Sequence, residues 1–294
     1  MQHSFFIVNS RIGKEKIGQL EAAVKRYFNA EQTTVRYTEY GGHATVLARE
    51  ALLIPDTLVI AVGGDGTVNE VVQVMAQSGR PMAIVPTGSG NGLARHCSIP
   101  IQISDAVKLA AEGRVAEIDL GKANEKYFIS NAGVGFDAVV CNSIRETKSR
   151  GLKMYVLQVI RHYFTYERDE YIISTDDRTF TQKAFFLNVA NGREFGYGFQ
   201  ISPAASLQDG LLDVVVTKSI HALNGLIFVI DGWRKRLHKN TNCIHFTARR
   251  IRIQGKHLHY FQTDGDAHSC EGICDISILP GALKLIVPIS VTSL

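Results

Sequence analysis

The hydrophobic pattern of the first part of the chain switches between two periods. Phe5–Val8 is a short, wholly apolar run, the length of a buried strand. The segment 14–29 follows, with Ile17, Leu20, Val24 and Phe28 at helical spacing. Residues 34–37 predict a second strand and 44–53 a second helix, which Pro55-Asp56 ends. The run 57–62 (TLVIAV) is apolar or β-branched throughout, as expected of a parallel strand covered on both faces. A Gly-rich turn leads into a predicted helix over 68–77. Residues 82–85 form a fourth apolar run, and 105–112 a further helix closed by Gly113. Strands alternating with helices predict a parallel α/β sheet.

Beyond residue 120 the pattern changes. Strand-like runs dominate, at 127–131, 171–174, 184–190, 212–217, 251–254, 258–262, 276–279 and 283–287. Two long helical stretches interrupt them, 153–164 and 223–237. The expectation is a parallel α/β domain over 1–120 and a β-rich domain, mainly antiparallel, over 121–294, with the last strand free to return to the first domain. There is no internal repeat and no long linker.

Composition narrows the picture. Of 294 residues, 45% are apolar and 20% charged, a globular balance that excludes wholesale disorder. The net charge of +4 suits an anionic partner without choosing among nucleotide, nucleic acid and acidic membrane. The five cysteines are scattered and include no Cys-x-x-Cys pair, which argues against a zinc ribbon or a redox motif and for free thiols in a reducing cytosol. The start lacks a basic region and its apolar run is too short for a signal peptide. No stretch approaches the roughly 20 apolar residues of a spanning helix. A cytoplasmic protein is therefore expected, meeting any membrane from its surface.

Two Gly-rich segments carry the candidate chemistry. Gly63-Gly64-Asp65-Gly66-Thr67 lies between an apolar strand and a helix. Glycine there lets a phosphate approach backbone N–H groups, and the helix start points its own unpaired N–H groups at the same spot. Thr67 and Glu70 also match a capping box. Asp65 would repel a phosphate unless it binds magnesium or accepts a proton. The second segment, Pro86-Thr87-Gly88-Ser89-Gly90-Asn91-Gly92-Leu93-Ala94-Arg95, also follows an apolar strand. Ligands of open α/β sheets bind outside the carboxyl ends of the strands, so both loops are expected at one crevice.

The pair GGDGTVNEVV and PTGSGNGLAR resembles the diacylglycerol kinase catalytic-domain family, which includes bacterial lipid kinases and sphingosine kinases. The resemblance runs along nearly the whole chain. Ile7-Val8-Asn9-Ser10 is similar to the family's opening strand, with Ser10 for the usual Pro, and Tyr37-Thr38 to a strand end that contacts nucleotide. Asp119-Leu120-Gly121, Asp209-Gly210-Leu211, Thr263-Asp264-Gly265-Asp266 and the run from Ile278 to Leu283 resemble later family motifs, in order.

The resemblance implies an NAD kinase-like α/β domain, a β-sandwich second domain and an active cleft between them. It implies ATP and Mg2+ as cofactors and a membrane lipid as substrate. Asn9, Thr38, Gly63, Gly64, Gly66, Thr67, Gly88, Ser89 and Asn91 would line the nucleotide site. Asp65 would work at the phosphates, through magnesium or as the base. Asp266, or its neighbour Asp264 on the same strand face, would take the proton of the lipid hydroxyl. A metal site would use Asp209 with carbonyls near Ser206 and Leu211; the alternative is that Asp209-Gly210 is only a polar turn. Asp119 would join a magnesium-linked carboxylate network. Gly92 stands where many relatives have Asp, and Asp266 where they have Glu.

The basic and aromatic residues from Arg145 to Arg168, and the cluster Trp233-Arg234-Lys235-Arg236 after the apolar positions Leu226 to Ile230, suit peripheral contact with an anionic membrane surface, or a plain solvated face. No nucleic-acid-binding module is recognised, and a homodimer is left open. The expected function is ATP-dependent phosphorylation of a lipid hydroxyl, diacylglycerol first. The alternatives are a sphingoid-base kinase, a soluble-substrate kinase of NAD kinase type, and a non-catalytic lipid- or nucleotide-binding protein.

Overall fold

The chain forms two units, Met1–Leu120 with Pro280–Leu294, and Gly121–Leu279. A computed structural model describes residues 3–147, 152–196, 199–218, 228, 230–232, 234–291 and 294.

In the first unit, β1 (His3–Val8), α1 (Lys14–Tyr27), β2 (Thr33–Tyr37), α2 (His43–Leu52), β3 (Thr57–Gly63), α3 (Asp65–Met75), β4 (Pro81–Pro86), α4 (Gly92–His96) and α5 (Ile103–Glu112) succeed one another, and β5 (Arg114–Ala123) leads out. The strands pair in parallel in the order β2-β1-β3-β4, and Lys284 and Leu285 of the returning chain add beside Pro81 and Met82. All seven residues of β3 are buried, which is why it reads as an unbroken apolar run. Helix α5 buries Ile103, Ala106, Val107 and Ala110, an i, i+3, i+4, i+7 stripe, against the sheet core of Phe6, Val8, Ile60, Val62 and Val85. The order reverses direction between β1 and β3, so the switch point of this sheet falls beside Asn9 and the Gly63-Gly64 loop.

The second unit holds β6 (Lys126–Phe128), β7 (Asn131–Gly135), α6 (Phe136–Glu146), α7 (Leu152–Tyr163), β8 (Asp169–Thr175), β9 (Thr179–Ala184), β10 (Phe186–Ala190), β11 (Glu194–Gly196), β12 (Phe199–Gln200), β13 (Leu212–Thr217), β14 (Cys243–Ala248), β15 (Arg250–Gly255), β16 (Tyr260–Thr263), β17 (Asp266–Ser269) and the first half of β18 (Ile273–Val287). One sheet has the order β14-β13-β10-β7-β16-β17; β18, β15, β8 and β9 make another. Their facing sides share one core, in which Val134, Leu187, Val189, Val214 and Val216 meet Ile173, Ile251, Ile253 and Ile276. The period of two sends Phe186 and Val215 to the opposite side of the first sheet, where they pack with Phe136 and Val140 of α6 and with Tyr155, Val159 and Tyr163 of α7.

Several boundaries differ from the sequence reading. Helix α3 starts at Asp65 rather than Val68, so Asp65-Gly66-Thr67 is its first turn. The Thr67–Glu70 capping box does not form, because Gly64 is the N-cap; Glu70 instead accepts N–H bonds from Gly42 and Ala44 at the start of α2 (2.9 and 3.1 Å). The stretch 127–131 divides into β6 and β7, and α6, which the sequence reading omits, follows without a loop. The two runs at 276–279 and 283–287 are one strand through Pro280-Gly281. Much of the predicted helix 223–237, with Leu226, Ile227 and Trp233, lies outside the described residues, as do Lys148 and Arg150.

Candidate functional site

Physical contact fuses the two Gly-rich loops of the first unit. Strands β3 and β4 pair to their ends, and Thr87 N–H continues the ladder to Gly63 C=O at 2.9 Å. The loops then touch backbone to backbone: a Cβ on Gly88 would lie 2.5 Å from the Gly64 Cα, and one on Gly64 would lie 3.1 Å from the Gly88 Cα. A Cβ on Gly63 would meet Thr67 at 2.5 Å. These glycines are required by close approach rather than by positive φ.

Asp65 completes the junction. Its Oδ2 accepts the Asn91 N–H at 2.8 Å and its Oδ1 the Gly92 N–H at 2.7 Å. The carboxylate thus ties the first loop to the start of α4, and a Cβ on Gly90 would strike it at 2.6 Å. The sequence-based choice for Asp65, magnesium or proton, did not include this arrangement, in which each oxygen already holds a backbone amide. Asn91 sits in left-handed backbone geometry and closes its own loop, accepting from Gly88 N–H and donating to Gly88 C=O (3.0 and 2.8 Å). Asn9 donates to Thr67 Oγ1 at 2.9 Å, and Thr38 Oγ1 accepts from Ser10 N–H at 3.3 Å. Ser89 is exposed at the tip. Helix α3, of 11 residues, has no side-chain cap, so its first N–H groups point outward beside these loops.

The structure adds three residues to this group. Lys16 of α1 donates to Thr87 C=O at 2.9 Å and Arg95 Nε to Gly90 C=O at 2.9 Å. Thr87 Oγ1 is buried with no partner among the described residues. Arg95 and Thr87 stand inside the second motif. Lys16 carries no sequence signal, being one lysine among several on an amphipathic helix.

In the second unit the two candidate bases separate. Asp264 occupies the turn between β16 and β17 with a φ of 49°, and Asp266 begins β17. They do not share a strand face as the spacing suggested, because the chain reverses between them. Asp264 accepts backbone N–H bonds from Ile129, Ser130 and Asn131 at 2.8, 2.7 and 3.1 Å. Asp266 is exposed, with no side-chain hydrogen bond among the described residues.

Asp209 Oδ1 accepts the Leu211 N–H at 3.0 Å, and Ser206 Oγ accepts the Gln208 N–H at 3.2 Å, so 206–211 is a polar turn ahead of β13. Burial raises the Asp213 carboxyl above its ordinary value, against a hydrogen bond from Ser202, and the Asp209 charge adds to the rise. Acidic oxygen donors of this kind are the type that a hard cation keeping several waters takes. The described residues hold no cluster of three or more His, Cys, Asp or Glu placed to bind a metal. Asp119 is buried and accepts the Gly281 N–H at 2.8 Å, which fastens β5 to the returning chain.

Comparison with known proteins matches the chain in two parts. Residues 3–123 match the diacylglycerol kinase catalytic domain, and residues 130–287 the YegS C-terminal NAD kinase beta sandwich-like domain. A "Probable lipid kinase YegS-like" protein of Yersinia enterocolitica is 32% identical over 298 residues, covering 98% of each chain. One of Serratia proteamaculans is 30% identical over 97% of this chain and 94% of its own. In fold, the chain resembles a diacylglycerol kinase from Bacillus anthracis (TM-score 0.78, 24% identity, 99% and 98% covered). It also resembles an NAD kinase from Archaeoglobus fulgidus in complex with ATP (TM-score 0.58, 14% identity, 97% and 94% covered). With both family models matched in chain order and relatives at this identity along nearly the whole chain, the chain belongs to the diacylglycerol kinase catalytic-domain family of lipid kinases, with a YegS-type second domain.

Proposed function

We propose that this lipid kinase transfers the γ-phosphoryl group of ATP to the hydroxyl of a lipid alcohol, with diacylglycerol as the first substrate. The observation that carries the nucleotide half is the backbone fusion of the two Gly loops at the switch point of a parallel sheet, beside the uncapped start of α3. Phosphoryl transfer is mostly positioning plus neutralisation of charge on the phosphoryl oxygens. The N–H groups of Gly66 and Thr67, the α3 dipole and the Lys16 ammonium supply that neutralisation from this chain. Asp65 acts by holding the loops in register.

The lipid hydroxyl gives its proton to Asp266, the exposed member of the Asp264/Asp266 pair. Asp264 is occupied in fixing the turn. Asp209 and Asp213, with carbonyls near Ser206 and Leu211, are the residues of the second unit that would hold magnesium, which would supply positive charge there.

A membrane contact is proposed on α7. Val156, Leu157 and Ile160, with Phe164 just beyond, are 46%, 56%, 56% and 81% exposed, while Tyr155, Val159 and Tyr163 on the other face pack inward. Arg161 and Arg168 are exposed on the same segment, and Arg234, Lys235 and Arg236 are exposed elsewhere on the unit. An apolar stripe with cations beside it fits an anionic bilayer surface. Among the described residues no helix is long and apolar enough to cross a membrane.

The test is to incubate purified protein with labelled ATP, magnesium and mixed micelles of diacylglycerol, sphingoid base or other lipid alcohols, with NAD as a soluble control. A labelled lipid phosphate is expected. Phosphorylation of NAD alone would refute the proposal, and a sphingoid-base product would move the substrate to the alternative.

A further inference from the structure

The helix-covered face of the β7 sheet holds polar groups where apolar ones are expected. Asn188 of β10 and Gln262 of β16 both lie opposite Gly133 of β7, so the three form one row across adjacent strands. All three are buried, and Gly133 leaves the middle of the row empty of side chain. The Asp137 carboxylate of α6 fills that space: a Cβ on Gly133 would lie 2.2 Å from its Oδ2.

The bonds there form a directed chain. Asp137 Oδ1 accepts the Ala138 N–H at 2.8 Å, and Oδ2 accepts from Gln262 Nε2 at 3.2 Å. Gln262 Nε2 also donates to Asn131 Oδ1 at 2.8 Å, as does Asn188 Nδ2 at 3.1 Å. With its nitrogen held on that side, Gln262 turns Oε1 to the Gly265 N–H at 2.9 Å. Gly265 stands between Asp264 and Asp266, with a φ of 89°.

We propose that Asp137 is a positioning residue for phosphoryl transfer: as a carboxylate it orients the Gln262 amide, which holds Gly265 and so fixes the turn that presents Asp266. The proposal rests on the reading of Asp266 as the base. Both Asp137 oxygens face N–H donors, so a proton on Oδ2 would set donor against donor. Relief requires the Gln262 amide to swing its oxygen toward Asp137, which releases Gly265 N–H.

The surroundings set the pH at which this happens. Burial pushes the Asp137 carboxyl up to about 7, against hydrogen bonds from Gln262, Ala138 and Asn188 that pull it down. The titratable groups facing it are Cys141 on its own helix, Tyr155 of α7, Tyr166 and Tyr171 of β8; burial raises all four, so they stay neutral there. None is a cation. At the turn itself His268 bonds to Thr263 Oγ1, and Lys126, Arg145 and Asp266 act on its charge. Burial first, then Lys126, hold it below the ordinary imidazole value, so it titrates to the acid side of 6.5. Because the Asp137 pKa is raised on folding, its ionisation lowers stability as pH rises from about 4 toward 7, while it orders the turn.

The experiment measures kcat and the KM for ATP of the full chain across roughly pH 5 to 9, for wild type, Asp137→Asn, Gln262→Met and Asp266→Asn. Wild-type kcat is expected to fall on the acid side with a midpoint near 7. Asp137→Asn should lose about 10- to 100-fold in kcat with its KM for ATP unchanged, the scale of a misplaced reacting group, and should lack that limb. Gln262→Met, which breaks the same chain without touching the acid, should behave alike and carries the test if Asp137→Asn does not fold. An acid limb near 7 persisting in both variants, or unchanged kcat in both, would overturn the proposal. Near-normal turnover in Asp266→Asn would instead overturn the base assignment on which it rests.

Discussion

Asp65→Asn separates a structural tie from a catalytic base. Asparagine keeps the shape but offers one oxygen and one NH2 where the carboxylate offers two acceptors. Of the Asn91 and Gly92 N–H groups now held at 2.8 and 2.7 Å, one would face an N–H instead. A hydrogen bond to a charged group is worth about 1.5–3 kcal/mol, the lower end applying at an exposed site. The variant also loses a negative charge in the first turn of α3, worth about 0.3–1 kcal/mol. The expected destabilisation is therefore about 2–3 kcal/mol, or a fall in melting temperature of roughly 5–10 °C for a domain of this size. The assay is thermal unfolding of wild type and variant without ligand, repeated with magnesium-ATP. A folded but weakened protein is expected, with a smaller ATP-induced rise because the two loops no longer share a register. An unchanged melting temperature and ATP response, with turnover reduced 100-fold or more, would refute the tie and return Asp65 to the role of base.

Gly88→Ala should cost about 1–3 kcal/mol and most of the ATP response, since its Cβ would meet the Gly64 backbone at 2.5 Å. Gly66→Ala, with nothing within 4 Å of its Cβ, should leave ligand-free melting unchanged or higher, and the paired melting curves decide between them. Asp264→Ala should lower the urea midpoint by more than any other substitution at the proposed site, because three backbone N–H groups lose their acceptor together; an unchanged midpoint would show that the turn stands without it. Replacing Leu157 and Ile160 with Ser should reduce sedimentation with anionic vesicles by about 10-fold or more, as each half-exposed side chain adds roughly 1 kcal/mol on insertion. Equal sedimentation would make α7 an ordinary solvated helix.

The fold was legible where one periodicity governed a segment. The strand TLVIAV and the α5 stripe show their burial in their spacing. Helix α6 was missed because it starts straight from a strand, with Gly135 as N-cap and no capping side chain. Its apolar positions Phe136, Val140 and Ile144 are interrupted by Asp137 and Asn142, so the stripe looks broken. The break at Asp137 belongs to the polar network over Gly133, invisible until β7, β10 and β16 are known to be neighbours. Strand β18 was cut in two by Pro280-Gly281, although Gly281 with its φ of 60° continues the strand while its N–H bonds to Asp119.

At the site, residue types were legible and their obligations were not. A motif shows that a carboxylate is present; it does not show how many N–H groups already claim its oxygens. Asp65 meets partners 26 and 27 residues away, and Asp264 meets partners 133 to 135 residues away. No spacing rule reaches that far. Yet those bonds decide the chemistry. A carboxylate whose oxygens already accept two or three backbone N–H bonds has fewer lone pairs left to meet a substrate hydroxyl. Asp65 and Asp264 are both held in this way, and Asp119 is buried against Gly281. Asp266 is exposed, as Asp65 is, but differs from all three in having no side-chain hydrogen bond among the described residues. In the proposed reaction the proton of the lipid hydroxyl would therefore go to Asp266, whose lone pairs carry no side-chain hydrogen bond among the described residues, and the bonds to its neighbours would hold it in place.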